Sequence, residues 1–330
     1  MPLAEKQLIE RIRRAACSPA RPASRGRARA SAVRLGIGDD CAILALPSGH
    51  ETLVTTDLSI EGVHFRREWH PPESVGHRCL ASGLSDIAAM GGEPLAAFVS
   101  LAVPGSLPQK WVDSFYKGLL ALARKSGVEL AGGDTAESPH GIAADIVVVG
   151  HAPAGKAVLR SGARAGDSIY VTGELGGSAA ILHQLESGKS VGSPRTKAVA
   201  AHFFPSPRVA VGRELRRRGL ASAMIDLSDG LSTDLAHICT ESRVAALVAE
   251  HSIPRPSTPG TSTLHFALHG GEDYELLFTA PGARTLPSKI AGVRVTRIGE
   301  IIRGRGMWLT DSHGQRKALG PRGWEHFKSK

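Results

Sequence analysis

Apolar positions along this chain recur with periods that change repeatedly, and each change marks an element. Leu3, Leu8, Ile9 and Ile12 fall at helical spacing in LAEKQLIERIRR, which predicts a short amphipathic helix over 3–14. The periodicity then stops in SPARPASRGRARAS, so residues 1–32 are read as a basic, mobile extension. ETLVTTD (51–57) reads as a strand ending at a carboxylate. PESVGHRCLASGLSDIAAMG (72–91) predicts a helix, with Val75, Leu80, Leu84 and Ile87 at helical intervals and Gly91-Gly92 as its stop. LAAFVSLAVP (95–104) reads as a buried strand closed by Pro104. A strong helix is predicted over 108–126, with Pro108 near its start, Trp111, Phe115, Leu119 and Leu122 in one stripe, and Gly127 after it. VELAGGDT then predicts a strand running into a glycine turn, and 142–152 another strand.

A second unit repeats strand, turn and helix. DSIYVTGELGGSAAILHQL and ASAMIDLSDGLSTDLAHICTES share that plan, with Ser228 or Asp229 able to cap the second helix. HGGEDYELLFTAP predicts a turn into a strand, VRVTRIGEIIRG a late strand or hairpin, and the prolines at 256 and 259 a surface loop. The pattern gives an α/β (α+β) fold of two domains, 33–153 and 154–330.

Acidic residues supply the candidate chemistry. Asp beside Gly, Ser or Thr recurs in GIGDDCAIL (36–44), TTD (55–57), LSD (84–86), GGDT (132–135) and IDLSDG (225–230). Each alone is ordinary turn or cap chemistry. Together they suggest hard oxygen ligands gathering Mg²⁺, which usually arrives with phosphate. Asp86 is distinctive, because its neighbours Leu84, Ile87 and Ala88 are apolar. Gly132-Gly133 and a helix N-terminus at Ser228 would let backbone N–H groups approach an anion. GELGGS (173–178) resembles a phosphate-cradling turn but lacks a P-loop ending, so a tight strand–helix connection is the simpler reading. No zinc spacing, HExxH or GxSxG is present.

Charge narrows the function classes. The net +9 sits at the ends: residues 1–34 hold nine Lys/Arg against two Glu, and the tail from His313 five against one, leaving 35–312 at −2. With 5% aromatics and no basic face, nucleic-acid binding is not expected. No apolar run approaches the roughly 18 residues of a membrane span. Four cysteines without CxxC spacing fit reduced thiols in the cytoplasm.

In order from Leu35 to Trp324, GIGDDCAIL, the TTD–EGVHF stretch, LSDIAAMGGEP, LAGGDT, LRSGARAGDSIYVTG, IDLSDGLSTDL and HGGEDYELLF resemble the thiamine-monophosphate kinase family, part of the group that includes aminoimidazole ribonucleotide synthetase and selenophosphate synthetase. The resemblance implies ATP-dependent phosphorylation of thiamine phosphate to thiamine diphosphate, with Mg²⁺. It also implies a homodimer formed through the N-terminal sheet. By the same resemblance Asp40, Thr55, Thr56, Asp57, Asp86, Asp134 and Asp226 are expected to bind Mg²⁺, with Asp229 at a further metal; Asp57, Asp86, Asp134 and Asp226 form the catalytic set. Gly133, Asp134, Arg160, Ser228 and Tyr116 are expected at ATP, and His64, Glu272 and Trp324 at the thiamine substrate. Trp324 suits stacking on a cationic ring, with C-terminal packing as the alternative. The alternatives are another kinase or synthetase of that group, or a non-catalytic nucleotide-binding regulator. Cys17 in RAACSPA lacks the context of a selenophosphate synthetase, and intact acids at every cluster speak against a binding-only role.

Overall fold

In the computed structural model, residues 2–17, 32–38, 40–193, 197–256 and 264–327 are described. The chain separates into two compact units, Met1–Ile87 with Glu93–Gly155, and Ala88–Gly92 with Lys156–Lys330. Of the extension expected to be mobile, 18–31 lies outside the described residues, as does Pro259, whereas 5–17 form a helix. Among the described residues no helix is long and apolar enough to cross a membrane.

The first unit contains α1 (Glu5–Cys17), β1 (Val33–Leu35), β2 (Ile43–Leu44), β3 (His50–Ile60), α2 (Pro72–Ala89), β4 (Glu93–Val103), α3 (Gln109–Ser126), β5 (Glu129–Glu137) and β6 (Ala143–Pro153). Leu8 and Ile12 of α1 are buried, as the apolar spacing predicts, and Arg11 makes a two-pronged ion pair with Asp113. The main sheet has the order β3-β6-β4-β5, with only β4 and β5 parallel. Val75, Leu80, Leu84 and Ile87 of α2 and Phe115, Leu119 and Leu122 of α3 are all buried. α3 ends where Gly127 takes the left-handed conformation (φ 68) and its N–H closes on Ala123 O.

Helices α2 and α3 meet through glycine. A Cβ at Gly118 would stand 1.9 Å from Glu73 O, and one at Gly76 2.0 Å from Phe115 O. The GGDT segment departs from expectation, because β5 continues through both glycines to Glu137. Here glycine serves close strand pairing: a Cβ at Gly133 (φ 143) would lie 1.9 Å from Val99 O of β4.

The second unit contains β7 (Asp167–Thr172), α4 (Gly177–Glu186), α5 (Lys197–Phe203), α6 (Val209–Arg217), β8 (Ala223–Asp226), α7 (Leu231–Ser242), β9 (Ala245–Ala249), α8 (Leu264–His269), β10 (Leu276–Pro281), β11 (Lys289–Ile290), β12 (Val293–Ile302), β13 (Gly306–Thr310) and β14 (Arg316–Ala318). Its sheet runs β14-β13-β9-β12-β7-β10-β8, with β11 paired to β12. The late segment 293–304 forms a strand, β12, the first of the two readings left open for it; β12 and β13 flank β9, and Ala245 partners both Ile302 and Gly306. Ile169, Val171, Ile225, Leu235, Ile238, Val248 and Leu277 are buried in its core.

Replacing Gly118 with Ala should destabilise the protein by about 1–3 kcal/mol, because backbone rather than a movable side chain blocks the added methyl. Urea unfolding of the variant measures this, and an unchanged midpoint would contradict such close helix packing.

Candidate active site

Strand parity sorts the acids of the first unit. Successive side chains of a strand point to opposite faces, so Leu53, Thr55, Asp57 and Ser59 of β3 share the face toward α2, while Val54, Thr56 and Leu58 face outward. On α2, Ser82 and Asp86 are one helical turn apart and meet this inner row. The Thr55 hydroxyl donates to Asp86 Oδ2, and the Ser82 side chain hydrogen-bonds Asp57. Burial lifts the Asp57 pKa to about 6, and the like charges of Asp86 and Asp145 add to the effect. Beneath lies Cys79, whose thiol is pushed up by burial and by the charges of Asp57 and Asp145.

The outer face carries a different set. Cross-strand register aligns Leu58, Asp145, Ser100 and Asp134 in one row. Thr56 Oγ1 donates to Asp145 Oδ1 at 2.8 Å, and Asp134 Oδ1 accepts from Thr135 N at 2.8 Å. The expected metal ligands of this unit therefore separate into Thr55, Asp57 and Asp86 on one face and Thr56 and Asp134 on the other. Asp40 lies exposed between β1 and β2. His64 follows β3, its Nδ1 accepting from Ile60 N at 3.0 Å. Tyr116 is buried within α3, edge-on to Phe115.

In the second unit several expected residues converge. Asp226, 4% exposed, ends β8, and the following loop pairs with the segment before β10: Tyr274 N donates to Leu227 O at 2.9 Å and Glu272 N to Ser228 O at 2.8 Å. Neither Ser228 nor Asp229 caps α7. Gly230 is the cap residue (φ 111), and Asp234 reaches back from the first turn to accept Asp229 N at 3.2 Å and Gly230 N at 3.0 Å. Burial drives the Asp234 pKa up to about 8, with Asp226 and Asp229 adding like charge. Burial also raises Asp229, opposed by His237, His326 and Arg160, which places Arg160 in its neighbourhood.

The C-terminal segment is strapped to this loop by its backbone. Gly323 N donates to Thr233 Oγ1 at 3.0 Å and Trp324 N to Asp229 O at 3.1 Å. The fastening leaves the Trp324 residue 54% exposed, with its indole N–H directed to His326 Nε2 at 3.3 Å. The GELGGS turn is a tight connection that already holds a carboxylate. Asp273 accepts Gly176 N at 2.7 Å and Ser178 N at 3.5 Å, and burial lifts its pKa to about 8.

The sequence reading passed over Asp145, Asp234, Asp273 and Glu275. A lone Asp within the apolar run IAADIVVVG was the one available signal for Asp145. The carboxylate and hydroxyl donors fit a hard divalent cation better than a soft one. Among the described residues no three His, Cys, Asp or Glu side chains are gathered into a closed ligand set. Mg²⁺ characteristically takes one or two carboxylates, with water and phosphate oxygens as its other ligands.

Residues 38–152 match the model of the N-terminal domain of AIR synthase related proteins, and residues 164–311 that of their C-terminal domain. The fold is thus that of this two-domain class. Thiamine-monophosphate kinase of Salmonella typhimurium is 39% identical over 281 residues, 82% of this chain and 84% of that protein. The crystal structure of thiamine-monophosphate kinase from Stenotrophomonas maltophilia K279a matches with TM-score 0.80 at 33% identity, covering 96% of this chain and 99% of that one. The structure of AaThiL complexed with AMPPCP and TMP matches at TM-score 0.76 and 33% identity, covering 86% of this chain and 89% of that one. The chain belongs to the thiamine-monophosphate kinase family.

The Asp57 shift has a definite sign. Its folded pKa lies above the ordinary aspartate value near 3.9, so the contribution of Asp57 to the stability of cation-free protein is greatest below about pH 4 and is lost as pH rises through about 6. Asp57→Asn should therefore stabilise cation-free protein at pH 7.5, by at most about 3 kcal/mol, with the gain vanishing near pH 4. Thermal denaturation in EDTA at the two pH values checks this; a gain independent of pH would rule out the carboxylate's charge as its source.

Proposed function

We propose that this chain transfers the γ-phosphoryl group of ATP directly to thiamine monophosphate, giving thiamine diphosphate and ADP in the cytoplasm. The observation that supports it most is the close relation to thiamine-monophosphate kinases along most of both chains. The chemistry of the acids agrees with it. Donor and acceptor are both polyanions, so the reaction calls for positioning and charge neutralisation rather than a protein nucleophile. The acceptor phosphate is largely ionised near neutral pH and needs no strong general base.

Thr55, Asp57 and Asp86, separately Thr56 and Asp134, and Asp40 between β1 and β2 are the groups of the first unit that would hold Mg²⁺; Asp226 and Asp229 are those of the second. Bound Mg²⁺ would neutralise phosphate charge in the transition state. Thr55 orients the Asp86 carboxylate, while Asp234 holds the Asp229–Gly230 backbone. Gly133, Arg160 and Ser228 are assigned to ATP. His64, Glu272 and the exposed Trp324 are assigned to the thiamine moiety, whose positive charge suits a carboxylate and an aromatic face. Tyr116 joins the ATP set on family resemblance alone, since its side chain is buried against Phe115.

A homodimer is part of the proposal. On the outer sheet face Val54 is 65% and Leu58 45% exposed, while Ala32, Val33, Ala42 and Leu44 pack against Leu95, Ala96, Phe98 and Ala131 farther along the sheet. A second copy would cover the bare apolar stripe. Val54→Lys should convert a dimer to monomer in light scattering.

Purified protein with Mg²⁺, ATP and thiamine monophosphate should yield thiamine diphosphate. Asp57→Asn should lower kcat by at least about 100-fold while the protein stays folded, the scale for losing a main electrostatic contact. Product formed only from a different phosphorylated acceptor would overturn the assignment.

A further inference from the structure

The segment from Gly270 to Glu275 joins α8 to β10 and contains two residues in the left-handed backbone region, Glu272 (φ 64) and Tyr274 (φ 49). Residues with side chains are uncommon there, and two within three positions persist only where surrounding bonds over-determine the turn. Those bonds come from three sides. The backbone N–H groups of Glu272 and Tyr274 bond to Ser228 O and Leu227 O, and the Asp273 carboxylate is fixed by Gly176 N.

The third anchor lies behind the turn. Glu275, 5% exposed, accepts a hydrogen bond from Thr172 Oγ1 at 2.6 Å. It also receives both prongs of the Arg208 fork, Nε to Oε2 at 2.6 Å and Nη2 to Oε1. Thr172 Oγ1 accepts Leu276 N at 2.8 Å, so the same hydroxyl ties the carboxylate to the first residue of β10. Space is reserved for this arrangement, because a Cβ on Gly173 would fall 2.0 Å from Glu275 Oε1.

A buried ion pair is a poor source of net stability, since desolvation offsets much of the attraction. What a two-pronged Arg–carboxylate pair supplies is direction. We propose that Arg208 and Glu275 are positioning residues for Glu272, holding the strained turn so that the Glu272 carboxylate addresses the cationic thiamine moiety. The proposal rests on the kinase reading above and adds two residues that touch no substrate. Arg208, at the start of α6 and 67 residues from its partner, thereby acts on acceptor recognition from within the protein.

The test uses the full chain with Mg²⁺, ATP and thiamine monophosphate. Arg208→Lys keeps the charge and loses the fork; Glu275→Gln keeps the shape and loses the charge. Each should raise KM for thiamine monophosphate by roughly tenfold or more, on the scale of a misplaced contact, with KM for ATP nearly unchanged; the melting temperature should stay nearly unchanged in Arg208→Lys and fall in Glu275→Gln, which leaves the Arg208 charge without its partner. Combined with Glu272→Gln, Arg208→Lys should add little further, because both changes remove the same interaction. Unchanged KM for thiamine monophosphate in folded Arg208→Lys or Glu275→Gln would overturn the proposal. So would additive losses in the double variant, or equal rises in both KM values with a lowered melting temperature. Wild-type protein that makes no thiamine diphosphate would instead refute the kinase reading, and the proposal with it.

Discussion

Carboxylates held near one another and away from water set the terms for both halves of this chain. Asp57 feels Asp86 and Asp145, Asp234 feels Asp226 and Asp229, and Asp273 feels Glu275 and Glu272. In each group burial is the largest effect and like charge deepens it. A protein interior tolerates such groups only when hydrogen bonds or cations compensate them. Hydroxyls and backbone N–H groups supply part of that compensation: Thr55 and Ser82 in the first unit, Asp229, Gly230, Gly176 and Ser178 N–H groups in the second. The remaining charge suits a cation-assisted reaction between phosphates. On the proposed reading, folding and chemistry draw on the same carboxylates.

The fold was legible where one periodicity dominated. The stripe of Trp111, Phe115, Leu119 and Leu122 with Gly127 behind it gave α3 nearly to its ends, because apolar spacing and a left-handed stop are local signals. Misreadings came from glycine. GGDT looked like a turn, yet its glycines let β5 lie against β4, a requirement set by a partner strand about thirty residues away. The late segment does form a strand, β12, but its setting was not legible, because no local pattern announces that β9 lies between β12 and β13.

Among candidate site residues, those announced by composition were easiest to find. Asp86 stood out against its apolar helix, and Asp57 within a run of strand-forming residues that continues to Ile60. Asp145, Asp234, Asp273 and Glu275 were invisible because their roles lie in what they accept: a hydroxyl from β3, two N–H groups at a helix start, a turn near residue 176, an arginine at residue 208. Family resemblance pointed to residues placed to meet ligands, whereas the geometry adds those that meet other residues. Trp324 shows the difference, since its tail is held by backbone bonds and the indole is left free of the anchoring task.

Strand β3 places its hydroxyls and acid by parity alone: Thr55 and Asp57 to one side, Thr56 to the other, with Asp134 and Asp145 matched to the outer side by register. Inserting or deleting a single residue upstream within β3 would interchange the two sets while leaving strand propensity almost untouched. Length is therefore held more strictly in this strand than composition, and its reading frame is a chemical specification as much as a structural one.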